Sequence, residues 1–532
     1  MKRWRALIVL GTAQFLMVLD TSVMNVSISQ LVHDFHTEVT AIQGVITLYT
    51  LVMAAFMITG GKLGDKLGRR RAFAVGLVVY GVGSLLTSVA PTLWVLALGW
   101  SVIEGLGATL VLPALAALVA GAYRGRDRSV AYGVIGGLAG AGIAVGPLVG
   151  GWVTTYLTWR LVFAAEVVIV VAILCCVRWV PDSPPSSRTR LDAGGVALSA
   201  AGLALLVLGV LQSSSWGWLK PRNPPFTVFG FAPTLFVVAA GGVVLAAFRA
   251  WERRREAHRQ DPLVRFSLFA VPPLRSGLAM LLAQNLILLG LFFTIPLYLQ
   301  VVQGLNAFQT GLRLLPVSVM MLLAAMTGPL LGRIASPRTI VRCGLLVLLV
   351  ATVWLLTSIR PALDNLSFAL AMAVLGLGMG LLASQLGNVT QSSVGERERS
   401  EAGGLQYTAQ NLGSSLGTAL IGSILIGALV NTFTHQIDDN PKISDAARQE
   451  AAVSIEAGVS FVSTDQVRAA TARASLPPSE ADAVVDAYAD AQIDSLKIAV
   501  LAAAGVTLVS LLFTRHLPAT RLGATAEQGR AS

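Results

Sequence analysis

Long apolar runs alternate with short polar connections along almost the whole chain of 532 residues. Each run holds about 20 mainly apolar residues, the length that an α-helix needs to cross about 30 Å of hydrocarbon. Fourteen such runs centre near residues 18, 52, 80, 103, 142, 168, 203, 238, 288, 320, 349, 378, 416 and 505. Because a helix satisfies its backbone polar groups internally, this pattern predicts an all-α integral membrane protein with 14 transmembrane helices.

The charged residues strengthen this interpretation, since they make up 13% of the chain against 55% for hydrophobic residues. The formal net charge is +11, and the Lys and Arg residues concentrate in alternate connections, such as 69–71, 124–128 and 253–259. That asymmetry follows the positive-inside rule, so we expect a multi-pass protein of the cytoplasmic (inner) membrane with both termini in the cytoplasm. The basic runs are therefore explained without nucleic acid as a partner, and contact with membrane lipid headgroups is the alternative.

Two long polar connections, 181–190 and 251–275, divide the chain. Six predicted spans precede them, two lie between them and six follow. We predict an N-terminal six-helix half (1–180), a linker with inserted helices 7 and 8 (181–275), a C-terminal six-helix half (276–515) and a cytoplasmic tail (516–532). The second half includes an extracytoplasmic loop, 431–494, where aspartates recur every four residues and predict one helical face: Asp482, Asp486, Asp490 and Asp494.

Three carboxylates interrupt the apolar runs of the first half: Asp20, Glu104 and Glu166. A charge at mid-membrane costs about 2.5–3.5 kcal/mol on insertion scales, so such residues normally face a cavity or a partner. Burial in a low dielectric favours the neutral, protonated form of a carboxyl group. We therefore predict that these three residues serve proton coupling, recognition of a cationic substrate, or both, with Glu166 nearer the outer end of its helix. The alternative is a set of hydrogen-bonded acids that fix helix packing.

The connection between the second and third runs reads GKLGDKLGRRR, with Gly61, Asp65, Gly68, Arg69 and Arg70 at its key positions. This order resembles the signature loop of the major facilitator superfamily. The resemblance implies two six-helix halves around a midplane site, and the inserted pair is similar to that of the fourteen-helix branch. It also implies a gating loop that closes the cytoplasmic side when the transporter faces outward.

The first run contains LDTSVMNVSIS, in which Asp20, Thr21 and Asn25 resemble the polar positions of the drug:proton antiporter branch. The fourth run departs from that family, because Ser101 stands where it has an arginine and Glu104 where it has a glutamine. Loss of the arginine puts the usual proton relay in doubt. Our hypothesis is that Asp20 and Glu104 together exchange protons for substrate and face the cavity.

The fifth run ends in a sequence that resembles the antiporter motif of exporters, with Gly142, Gly146, Pro147, Gly150 and Gly151 as its members. Simple helix packing is the alternative, since small residues let membrane helices approach closely. In the second half, GLQYTAQNLG resembles another motif of the family. Its Gln406, Gln410 and Asn411 are candidates for the substrate cavity together with Asn25, or for interhelical hydrogen bonds.

The resemblance as a whole implies a proton-driven efflux antiporter, a secondary active transporter and not an enzyme. Its expected substrates are amphipathic, cationic drugs, dyes or biocides, and a dedicated exporter of one metabolite, antibiotic, siderophore or lipid is the alternative. The 3 Cys and 5 His residues show no catalytic or metal-ligand spacing, so we expect no metal and no cofactor. We also expect a monomer whose partners are protons, small substrates and membrane lipids.

Overall fold

The computed structural model describes residues 4–123, 125–181, 192–221, 224–258, 260–395, 399–441, 443–444, 448, 461–473 and 476–519. Most of the connection 181–190, residues 124 and 259, the middle of the loop 431–494 and most of the tail lie outside the described residues. So does the side chain of Asp65.

Fourteen helices within the described residues are long and apolar enough to cross a membrane. They are Arg5–Val26, Val39–Gly64, Arg69–Ser88, Leu93–Val119, Gly137–Tyr156, Arg160–Trp179, Ala193–Leu211, Thr234–Ala257, Pro272–Val302, Ala307–Met326, Pro337–Ser358, Asn365–Ser392, Glu401–Asp438 and Pro478–His516, called spans 1 to 14. Each predicted centre lies inside one of them. The predicted all-α membrane fold with 14 spans is therefore confirmed.

The inserted pair packs beside the seam between the two halves. Span 7 packs against span 8, and its other neighbours are span 2 of the first half and span 13 of the second. The hydroxyl of Ser423 in span 13 donates to the carbonyls of Val210 and Leu211 at the end of span 7. Span 9 begins at Pro272, with proline in the first turn of the helix, where it is well tolerated.

The two halves meet at the end of the bundle that is remote from the chain termini. Hydrogen bonds join them there, among them those from Gln43 to the Thr418 carbonyl, from Gln300 to the Val26 carbonyl and from the Phe308 backbone N–H to Thr155. Spans 5 and 10 also pack closely along this seam. A cavity lies between the halves, on the terminus side of these contacts.

Spans 13 and 14 are longer than a membrane requires. They contain 38 and 39 residues, so at 1.5 Å per residue each is about 57 Å long. Their remote ends form part of the region predicted as a loop, and a short helix, Thr464–Arg473, lies between them. The four predicted aspartates are all exposed on span 14, as expected for one helical face: Asp482, Asp486, Asp490 and Asp494.

Candidate functional site

The three membrane carboxylates form one cluster. Asp20 of span 1, Glu104 of span 4 and Glu166 of span 6 each offer an oxygen within 4.8 Å of the others. Each residue is at most 1% exposed. Glu166 is therefore part of the same site as Asp20 and Glu104, although its sequence position suggested a shallower depth.

Glycines allow spans 3 and 4 to approach closely enough to build this cluster. A Cβ atom added at Gly83 would lie 2.6 Å from the backbone nitrogen of Glu104. One added at Gly107 would lie 2.5 Å from the backbone nitrogen of Tyr80. A larger residue at either position would force the helices apart. The close approach brings the polar side chains of span 3 against Glu104.

Three described donors, two hydroxyls and one indole, hold the carboxylates. The indole Nε1 of Trp100 donates to both oxygens of Asp20, at 2.9 and 3.1 Å. The Ser84 hydroxyl lies 3.0 Å from Glu104 Oε2 and 3.2 Å from Glu166 Oε2, so it bridges the two glutamates. The Tyr80 hydroxyl lies 3.3 Å from the same Glu166 oxygen.

Span 4 is a π-helix from Ala97 to Glu104, and this segment carries two members of the site. Short π-helical turns are rare and often mark functional sites. Ser101, at the position where the motif resemblance leads us to expect an arginine, donates to the carbonyl of Val45 in span 2 at 2.8 Å. That bond joins two helices and leaves the carboxylates without a cation from this position.

The electrostatics of the cluster favour bound protons. No described Lys, Arg or His forms an ion pair with Asp20, Glu104 or Glu166, and each is removed from solvent. Oε1 of both glutamates also lacks a hydrogen-bond partner among the described groups. Three close, desolvated carboxylates oppose one another's ionisation, so their protonation states depend on one another.

The cavity between the halves has a volume of about 1060 Å³. Four predicted cavity residues line it: Asn25, Gln406, Gln410 and Asn411. The other two, Asp20 and Glu104, lie behind its wall, inside the first half. The expectation that they face the cavity therefore differs from the structure, because their helices turn them toward span 3 and Trp100.

One aromatic pair separates the carboxylates from the cavity. Tyr49 of span 2 lines the cavity, and its ring stacks on Trp100 with 4.4 Å between centroids and 3° between planes. Trp100 in turn holds Asp20. Two side chains, Tyr49 and Trp100, thus separate the cavity from the carboxylate cluster.

The glycine-rich end of span 5 packs against both halves. Added Cβ atoms at Gly142, Gly146 and Gly150 would meet Val18, Ser22 and Val23 of span 1. One at Gly151 would meet the backbone of Ala307 in the second half, and Pro147 contacts Gly311 there. The motif therefore sets how closely span 5 approaches span 1 and span 10.

The predicted gating loop forms a sharp turn at Gly68, whose φ of +92° favours glycine. The guanidinium groups of Arg69 and Arg70 reach the carbonyls of Ala117 and Val180. Gly61 lies beside Pro113 of span 4. All of these contacts are within the first half in this conformation.

Sequence reasoning missed Tyr49, Tyr80, Ser84 and Trp100 as site residues. The spacing of Tyr80 and Ser84 places both on one face of span 3, which was the available signal. Trp100 lies four residues before Glu104, but the π-helix that orients both residues has no sequence signature.

Comparisons with known proteins agree with this architecture. A profile of the Major Facilitator Superfamily matches residues 10–418. A probable actinorhodin transporter of Streptomyces coelicolor is 31% identical over 477 residues, which cover 88% of this chain and 79% of that protein. The multidrug efflux pump LfrA of Mycolicibacterium smegmatis is 27% identical over 425 residues, covering 80% of this chain and 81% of the pump.

A solved structure shows the same fold at low sequence identity. A bacterial homolog of the human lysosomal transporter Spinster, in an inward-facing and unoccupied conformation, aligns with a TM-score of 0.62 at 14% identity. The alignment covers 97% of this chain and 98% of that one. Together with the superfamily match over most of the chain and the fourteen spans, this places the chain in the Major Facilitator Superfamily of membrane transporters.

Proposed function

We propose that this protein is a proton-driven efflux antiporter for amphipathic, drug-like compounds. The observation that carries the proposal is the buried carboxylate cluster, which has no counter-cation among the described residues and lies one aromatic pair from a large cavity. The cluster is suited to bind and release protons, and the cavity is suited to a drug-sized molecule. The names of the relatives, a multidrug efflux pump among them, support export.

The conformation supports a direction for transport. The halves contact each other at the end remote from the termini, and the cavity lies on the terminus side. If both termini are cytoplasmic, as the basic connections predict, this is the inward-facing state in a cytoplasmic membrane. Substrate would then enter from the cytoplasm or the inner leaflet.

The proton cycle follows from alternating access. In the outward-facing state, protons from outside bind Asp20, Glu104 and Glu166, and the substrate leaves. After the return to the inward-facing state, the cluster releases protons to the cytoplasm while a new substrate binds. The Tyr49–Trp100 pair connects the two events, because it contacts the cavity on one side and Asp20 on the other.

A dedicated exporter of one antibiotic is the second candidate. Several relatives are named for a single compound, which supports this candidate. Examples are the probable actinorhodin transporter and a cephamycin export protein of Amycolatopsis lactamdurans. Both candidates share the proton mechanism and differ in substrate range.

Inside-out vesicles would test the proposal. Dye and drug accumulation would be followed together with proton movement, for the wild type and for Asp20→Asn, Glu104→Gln and Glu166→Gln. We expect each substitution to abolish gradient-driven accumulation. Glu252→Gln is the matched control, because Glu252 is also a fully buried acid but lies in the inserted pair. Full proton-driven transport by Glu104→Gln would contradict the proposal.

A further inference from the structure

The chain interrupts its helix at the remote end of span 1. The helix of span 1 stops at Val26, and the short helix Ile28–Asp34 follows after a bend at Ser27. The Ser27 hydroxyl donates to the Val23 carbonyl, one turn earlier, at 3.0 Å, and bonds of this kind often bend helices. Because helix ends leave backbone carbonyls and N–H groups without helical partners, the break leaves such groups on both of its sides.

Gln300 of the second half pairs with both sides of this break. Its side-chain nitrogen donates to the Val26 carbonyl at 2.9 Å, and its side-chain oxygen accepts from the Ser29 N–H at 3.4 Å. The carbonyl belongs to the end of span 1, and the N–H belongs to the start of the short helix. One amide group therefore supplies a donor to one side of the break and an acceptor to the other.

Gln300 lies in an irregular turn of span 9. Residues Tyr298–Val302 form a π-helix, a rare type of turn that often marks a functional site. Pro296, which has no N–H group, interrupts the helical hydrogen bonds just before this turn. From the turn, Gln300 reaches the first half, whereas the Gln303 side chain bonds the Arg360 and Pro361 carbonyls within the second half.

The contact of Gln300 with span 1 has to break during transport. The two halves touch at the remote end in this conformation, and alternating access requires them to part there. When they part, the Gln300 amide leaves the Val26 carbonyl and the Ser29 N–H. Asp20 lies six residues before Val26 on the same helix, about 9 Å along its axis. One helix therefore carries both this contact and a member of the carboxylate cluster.

We propose that Gln300 is a latch for the remote end: it holds the two halves together by pairing with the break in span 1, and its release opens that end. Gln300 is not among the described residues that line the cavity, so its role is to set the conformation and not to bind the transported molecule. The inference goes beyond the export proposed above, because it needs only the alternating access of this superfamily.

Single-molecule FRET measures how much time the remote end spends closed and open. Dyes are attached at Pro91→Cys and Ser479→Cys, which replace exposed residues on the remote side of the first and second halves. The native cysteines Cys175, Cys176 and Cys343 are replaced by serine. The purified full-length protein is observed in lipid nanodiscs, without substrate and without a proton gradient.

Gln300→Met removes both hydrogen bonds and keeps a long, unbranched side chain. We expect the ratio of closed to open time to fall at least about fivefold, since one neutral hydrogen bond changes an equilibrium constant by about that factor. Gln303→Met is the matched control, because its hydrogen bonds stay within the second half, and it should keep the wild-type ratio. An unchanged ratio in Gln300→Met, or an equal fall in both variants, would overturn the proposal.

A second variant separates loss of the latch from loss of folding. Gln300→Glu keeps the length of the side chain and its acceptor but has no N–H to donate to the Val26 carbonyl, so the ratio should fall here as well. Molecules that still switch between the two FRET states are folded. If both Gln300 variants remained closed throughout, the proposal would be wrong.

The latch and the proposed export function fail separately. The FRET measurement uses neither substrate nor gradient, so loss of proton-driven export in the vesicle assay would leave its result standing. An unchanged ratio of closed to open time would remove the latch and leave the antiport proposal standing.

Discussion

Trp100 donates its indole N–H to both carboxylate oxygens of Asp20, at 2.9 and 3.1 Å, while its ring stacks on Tyr49 of the cavity wall. The two contacts place one rigid side chain between the cavity wall and the carboxylate cluster. We expect movement of Tyr49 on substrate binding to shift Trp100 and so to change the hydrogen bonding of Asp20. This relationship is the physical basis that we propose for coupling.

Trp100→Phe should uncouple transport. The substitution keeps an aromatic ring against Tyr49 but removes the donor to Asp20. A hydrogen bond to a charged group is worth about 1.5–3 kcal/mol, so we expect a fall of roughly tenfold or more in proton-driven transport in proteoliposomes. Trp159→Phe is the matched control, because Trp159 also donates its indole N–H to an aspartate, Asp34, outside the cluster. Equal transport by the two variants would count against the coupling role.

Ser84→Ala should impair transport through the glutamates. Its hydroxyl lies within hydrogen-bond distance of both Glu104 and Glu166, and Oε1 of each glutamate already lacks a partner. Removing the bridge leaves another buried oxygen unpaired, which costs about 1–3 kcal/mol. We expect roughly tenfold slower proton-driven transport, measured as the initial rate. Ser88→Ala, one turn further along span 3, removes a hydroxyl that bonds Leu85 and should behave as wild type.

Gly151→Ala should disturb the contact between the halves at the remote end. The added methyl group would meet the backbone of Ala307 and lie 2.9 Å from the Phe308 Cα atom, and backbone atoms cannot rotate away. Overpacking of this kind costs about 1–3 kcal/mol, so the inward-facing state should lose stability relative to the outward-facing one. The solvent accessibility of a cysteine introduced at the remote end, measured by its rate of labelling, should therefore rise. Gly505→Ala in span 14 has open space around it and should leave accessibility unchanged.

Asp34 lies at the end of the short helix Ile28–Asp34, which follows span 1. Its carboxylate should make the stability of the folded protein depend on pH in the acidic range. Burial acts to raise the pKa of the Asp34 carboxyl group. Stronger than burial is the combined effect of the groups around the carboxylate, which lowers this pKa below its ordinary 3.8. These groups are three hydrogen-bonding side chains and one nearby guanidinium: Trp159, Gln30, His33 and Arg160. The stabilising contribution is therefore complete above about pH 4 and is lost as pH falls through the lowered pKa. Thermal unfolding of Asp34→Asn should lack this acid-dependent loss, whereas an identical pH profile would refute the assignment.

Hydropathy was sufficient to predict the fold, because lipid forces backbone polar groups into helices of a fixed minimum length. It also located Asp20, Glu104 and Glu166, since carboxylates are conspicuous in apolar runs. It did not place Asp20 and Glu104 behind the cavity wall. Which way a side chain faces depends on helix rotation, and the π-helix at Ala97–Glu104 changes that rotation locally.

The region predicted as the extracytoplasmic loop 431–494 includes the polar ends of two long helices. The polar ends of spans 13 and 14 continue as helix to Asp438 and from Pro478, outside the length that hydrocarbon requires. Hydropathy records where a helix leaves lipid, not where it stops. By contrast, the helical face of Asp482 and Asp486 was predictable, because their spacing is a property of the helix itself.

Proton release on substrate binding tests the central claim most directly. Purified protein in a weakly buffered solution at neutral pH would be titrated with a transported compound while a pH-sensitive dye reports free protons. We predict release by the wild type and substrate binding without release by the triple variant Asp20→Asn, Glu104→Gln, Glu166→Gln. Equal proton release by the triple variant would contradict the assignment of proton exchange to the buried carboxylate cluster.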